Sequence, residues 1–164
     1  MANLLTATIN SWGCGDPPIR RSDSMYDQLR DDHRELTRIA GELLKRTSTP
    51  TLTDPGGLGR CRWGLARTLT RHLALEDAHV YARLDKDPRP GVAAVARRYK
   101  AELCRLSDQF NEHMADWTGD AIAGDWPGYC RAVRTLLAAL EARVKCEDEE
   151  LYPLLAETRR SAAA

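Results

Sequence analysis

The stretch "RHLALEDAHVYARL", residues 71–84, sets His72, Glu76 and His79 close together on what reads as a helix. Residues 142–155, "ARVKCEDEELYPLL", repeat it: Glu147 falls on Glu76, Asp148 on Asp77, Tyr152 on Tyr81 and Leu155 on Leu84. The copy departs at Arg143, which takes the place of His72, and at Glu150, which takes the place of His79. Four-residue spacing puts His72 and Glu76 on one helix face, so both can point at one centre. Two more histidines, His33 in "DDHREL" and His113 in "NEHMADW", stand on apolar stripes of their own. Imidazoles offer neutral nitrogen ligands and carboxylates offer anionic oxygens, one of which can bridge two ions. Together they make a cage for a transition metal.

These residues need four rods to position them. The first starts with Ser24 as a cap and Asp27 three residues on, and carries Leu29, His33, Leu36, Ala40 and Leu43 inward. "TSTPTLTDPGG" ends it. The second runs from about Leu58 to Leu84, until "DKDPRPG" breaks it. The third runs from about Val92 to Trp117, with Val95, Tyr99, Leu103, Leu106, Phe110 and His113 inward. "TGDAIAGDWPG" is the next break, and the fourth rod runs from about Tyr129 to Glu157. Four long amphipathic helices with short links predict an all-α, up-down-up-down antiparallel four-helix bundle over 24–158. An N-terminal extension (1–23) precedes it and a short tail (159–164) comes after it.

In such a bundle the mid-helix residues His33, His72, Glu76, His113, Arg143 and Glu147 are expected to meet in one layer. A single inward histidine reads as an ordinary core residue. Three on separate helices, beside two carboxylates, call for a cation, because a buried uncompensated charge is costly. His79 lies one turn beyond Glu76, either as a spare ligand or as lining of the rim. Asp77, Asp148 and Glu149 read as solvated faces, and Cys146 as a packed thiol.

Composition narrows the partners. With 24 basic and 24 acidic residues the formal net charge is zero, so neither nucleic acid nor an acidic membrane finds the basic footprint it requires. Five cysteines without C-x-x-C spacing argue against a disulfide framework or a zinc ribbon. No run approaches a membrane span. The expectation is a soluble protein of a reducing cytoplasm. Leu4, Leu5, Ile9 and Trp12 of the extension could dock on the body or on a second subunit, giving a homodimer.

Taken in order, "DDHREL", "HLALEDAHVY", "NEHMADW" and "VKCEDEELYPLL" resemble the hemerythrin-like HHE cation-binding domain over about residues 25–157. The resemblance implies a four-helix bundle around a non-haem di-iron centre that binds or senses dioxygen or peroxide. Carried over, the metal ligands are His33, His72, Glu76, His113 and Glu147, with His79 in reserve. Arg143 stands where the family has its last histidine. It allows three outcomes: two irons with His79 or water filling the gap, one iron, or a guanidinium standing in for a metal. The alternatives in function are a di-iron oxidoreductase acting on peroxide or a small substrate, and a metal-free interaction module with Arg143 as internal counter-ion.

Overall fold

The computed structural model describes residues 21–162, and among them every regular element is helical. The elements are α1 (Arg21–Arg46), α2 (Pro55–Leu75), a π-helical turn π1 (Glu76–Tyr81), α3 (Ala82–Leu84), α4 (Val92–Asp116), α5 (Gly119–Gly124), α6 (Trp126–Cys146), a second π-helical turn π2 (Glu147–Leu151) and α7 (Tyr152–Ala162). The segment α2–π1–α3 forms one continuous rod, and α6–π2–α7 forms another. The extension, with Leu4, Leu5, Ile9 and Trp12, lies outside the described residues apart from its last three positions.

Two aspartates open the repeated rods. Asp54 accepts a hydrogen bond from the Gly57 amide at 2.8 Å, and Asp125 accepts one from Gly128 at 2.8 Å. Each satisfies an amide that the first helical turn leaves unpaired. The caps start α2 at Pro55 and α6 at Trp126, three residues earlier than the apolar stripes alone predict. A side chain on either glycine would strike the capping carboxylate. Elsewhere the expected boundaries shift for local reasons. Helix α1 already includes Ser24, so that residue is not its cap. The "TGDAIAGDWPG" break holds a short helix, α5, started by Thr118 accepting from the Ala121 amide. Helix α7 continues to Ala162, past the boundary expected at 158.

Neighbouring rods run in opposite senses, as their contacts show. His33 meets His72 while the Cys61 thiol meets the Ile39 carbonyl. His33 meets Glu147 while Arg134 donates to the Thr47 carbonyl. The Tyr99 carbonyl meets Arg143 while the His113 ring lies against Tyr129. Arg62 meets Met114 while Lys100 pairs with Asp77.

The core has two apolar parts. One contains Leu36, Leu43, Leu65, Leu69, Phe110, Tyr129 and Leu140. The other contains Leu29, Val80, Leu84, Val92, Leu151 and Leu155. His33 falls between Leu29 and Leu36, His72 and Glu76 between Leu69 and Val80, and Arg143 and Glu147 between Leu140 and Leu151. A polar layer is thereby sandwiched between two hydrophobic ones, with His33, His72, Glu76 and Glu147 buried in it. Among the described residues no helix is long and apolar enough to cross a membrane.

Candidate metal centre

Both repeated rods change geometry at the carboxylate of the layer. Glu76 opens π1 and Glu147 opens π2. Single π turns inside α-helices are frequent at functional sites. The wider turn brings the residue five positions on, Tyr81 or Tyr152, to the face of the glutamate. The two tyrosines then work crosswise. The Tyr152 hydroxyl donates to Glu76 Oε1 at 3.1 Å and lies 3.3 Å from His33 Nε2. The Tyr81 hydroxyl accepts from Arg143 Nη2.

Three ligand atoms converge on one side of the layer. His33 Nε2 lies 3.0 Å from Glu147 Oε2 and 3.3 Å from His72 Nε2. His72 Nε2 lies 3.7 Å from the same Glu147 oxygen and 3.8 Å from Glu76 Oε2. His33, His72, Glu76 and Glu147 are 3%, 2%, 0% and 1% exposed, so whatever reconciles them must be inside the protein. Asp148 Oδ1 lies 3.0 Å from His33 Nδ1 and turns the other ring nitrogen inward.

On the other side stands Arg143. Its Nε donates to Glu147 Oε1, its Nη1 donates to the Tyr99 carbonyl at 3.0 Å, and its guanidinium lies 5.1 Å from the centre of the Tyr99 ring. Glu102 Oε2 is 3.9 Å from Nη1. Glu147 thus divides its two oxygens, one toward the imidazoles and one toward the guanidinium.

The charges reflect this arrangement. Burial pushes the Glu147 carboxyl up, but hydrogen bonds from His33 and His72 and the Arg143 charge outweigh it and hold it at about 2. Glu76 goes the other way, raised well above the usual carboxyl range by burial and then by the Glu147 charge. Burial alone would lower His33, yet Glu147 and Asp148 leave it above an ordinary imidazole. Burial and the Glu76 charge raise the Tyr152 phenol.

Not all expected ligands arrive. The structure brings together His33, His72, Glu76 and Glu147 and places His113 elsewhere. Helix α4 meets the layer at Tyr99 and Glu102. His113 lies 14 residues after Tyr99, about 21 Å along the axis, beyond Phe110 and against Tyr129. The expectation of equal heights fails here because His113 sits in the last turn of α4, not its middle. There burial first, then the Arg62 charge, lower it to about 4. His79 is exposed on π1, away from the convergent atoms. Cys146 is exposed rather than packed. Asp148 is no mere solvated face, since it holds His33. In the sequence, Tyr81, Tyr99 and Tyr152 are legible only as repeat marks or core stripe, not as partners of the layer.

The donor set fits a cation. Two ligands about 2.1 Å from a common ion stand roughly 3 to 3.5 Å apart, close to the separations observed. Glu76 Oε2 is fully buried and has no hydrogen-bond partner, and neither has His72 Nδ1. An unpaired buried carboxyl oxygen 3.8 Å from the His72 Nε2 is what a cation would satisfy. His33, His72 and Glu147 form a group able to hold one ion, their ligand atoms all within 4.8 Å of one another. A family model described as the hemerythrin HHE cation binding domain matches residues 24–155. No curated protein and no solved structure matches the chain.

Proposed function

The chain belongs to the hemerythrin HHE cation-binding family, and from that premise we propose that it is an iron-binding protein that binds or senses dioxygen or peroxide. His33, His72 and Glu147 would hold the metal, with Glu76 beside them. The single observation that carries the reading is the convergence of the buried His33, His72 and Glu147 ligand atoms within 4.8 Å. Two histidines and one carboxylate form a donor set typical of non-haem ferrous sites. Ferrous iron, when bound, supplies electron-transfer chemistry toward dioxygen or a peroxide.

The chain's own residues set the conditions for that chemistry. Asp148 fixes the His33 ring so that Nε2 faces inward, a role outer carboxylates commonly play for histidine ligands. Tyr152 presents its hydroxyl to Glu76 and His33, leaving a hydrogen-bonding group at the edge of the site. The apolar clusters above and below cover the two ends of the site. The up-down-up-down bundle of the family is the frame that agrees with the antiparallel contacts. Cys61, Cys104, Cys130 and Cys146 are all unpaired, in keeping with a reducing cytoplasm.

The test is metal analysis of protein purified without chelators, then anaerobic ferrous loading followed by air or peroxide. Bound iron and a visible absorption that reductant bleaches and air restores are expected. Both should be lost in His72→Ala and Glu147→Gln. Protein that stays colourless and iron-free after anaerobic loading would refute the proposal.

A further inference from the structure

We infer that Arg143 is a permanent internal cation that takes the place of a second metal ion, so that each chain holds one ion and keeps its fold when that ion leaves. The inference deepens the iron-binding reading and rests on it for the identity of the exchangeable ion.

The geometry of Glu147 carries the argument. A carboxylate that bridges two metal ions would offer one oxygen to each. Here Oε2 faces His33 and His72, while Oε1 receives the Arg143 Nε. A guanidinium cannot lose its charge under any ordinary condition and grips oxygen acceptors along fixed directions. Each nitrogen of this one is engaged: Nε by Glu147, Nη1 by the Tyr99 carbonyl and Nη2 by the Tyr81 hydroxyl. At 8% exposure it has not turned its head to water, and the Tyr99 ring covers one face.

The repeat shows what has been exchanged. Glu76 matches Glu147, but His72 matches Arg143. Asp148 holds the ligand His33, whereas its counterpart Asp77 pairs with the surface amine of Lys100. Helix α4 brings Tyr99 and Glu102 to this side and no imidazole, since His113 is far along the rod. A second dication would have to sit against a fixed positive charge with carboxylate oxygens alone. The residues therefore do not fit the two-metal centre that the family resemblance implies. They fit one metal and one guanidinium, and the Arg143–Glu147 pair gives the layer a counter-ion even without metal.

Anaerobic titration with ferrous ion, counted by elemental analysis after desalting, tests this on the full chain and on Arg143→His. One equivalent is expected for the wild type and close to two for Arg143→His. Two equivalents in the wild type, or one in both proteins, would overturn the inference while leaving iron binding intact. The metal-free melting temperatures of wild type and Arg143→Met form the second arm. Loss of one partner of a buried ion pair should lower the metal-free melting temperature by roughly 10 °C or more. Equal melting temperatures would show that Arg143 balances nothing. If the wild type takes up no iron, the protein is not an iron binder, yet the melting comparison still decides the internal cation. If Arg143→Met does not accumulate folded, the two iron counts decide: one in the wild type with two in Arg143→His supports the inference, and two in the wild type, or one in both, overturn it.

Discussion

Asp148→Asn isolates the support of one ligand from the ligand itself. The Asp148 carboxylate lies 3.0 Å from His33 Nδ1 and touches no other residue of the layer at bonding distance. Loss of an outer carboxylate on a histidine ligand typically weakens metal binding 10- to 100-fold, about 1.4 to 2.7 kcal/mol. The Asp148 side chain is 45% exposed, and water softens such interactions. The low end applies, so the expected loss is about 10-fold. Two effects must be separated. Asp148 also raises the proton affinity of His33, and a proton competes with the metal. Measured well above the ordinary imidazole range, where that competition has vanished, the change reports how the Asp148 carboxylate supports the neutral ligand, through ring orientation and basicity together. As pH falls, the wild type loses affinity earlier than Asp148→Asn, and the gap narrows. The assay is anaerobic ferrous titration against a competing chelator at two pH values. Asp77→Asn, at the matching position of the repeat, is the control, because its carboxylate pairs with surface Lys100 and should leave affinity within about 2-fold. Equal behaviour of the two variants would refute the idea that Asp148 orients a ligand.

Four other outcomes are expected from the structure. His113 is held at about 4 in the folded chain against 6.5 when free, so the unfolded state binds its proton first; stability should fall as pH drops from about 6.5 toward 4, by roughly 1 to 2 kcal/mol once solvent screening is allowed for, and urea unfolding of His113→Phe should lack that part of the slope. The same variant should bind iron as the wild type does, because His113 lies far from the converging ligands. Gly57→Ala and Gly128→Ala should each lose about 1 to 2 kcal/mol by denaturant unfolding, since the added methyl displaces the capping carboxylate of Asp54 or Asp125. Tyr81→Phe takes away the acceptor of the buried Arg143 Nη2 and should cost about 1 to 3 kcal/mol by the same measurement.

The rods and most of the layer are legible in the sequence because both depend on periodicity. Leu29, His33 and Leu36 mark one face of α1 without ambiguity, and four-residue spacing is enough to put His72 beside Glu76. Height along a rod is another matter. Periodicity says which face His113 is on, but not which level; contacts such as Tyr99 with Arg143 and Lys100 with Asp77 fix that level. The helix starts escape the apolar stripe because Asp54 and Asp125 act through backbone amides. Asp148 reads as a solvated residue because half of it is solvated; its other half touches His33. The roles of Tyr81 and Tyr152 depend on π turns, which α-helical spacing does not anticipate.

The two widened turns have a consequence for how the chain tolerates changes in length. A π turn is an α-helix that has absorbed an additional residue while the winding beyond it stays regular. Removing Ala78 or Glu149 would let each rod return to uniform winding, with Leu84 or Leu155 still in register with the interior. The same deletion a few positions upstream, where there is no slack, would swing everything downstream by about 100° and present those leucines to water. Among the described residues, the slack for a missing residue thus lies in the two turns that open on Glu76 and Glu147, beside the proposed metal ligands.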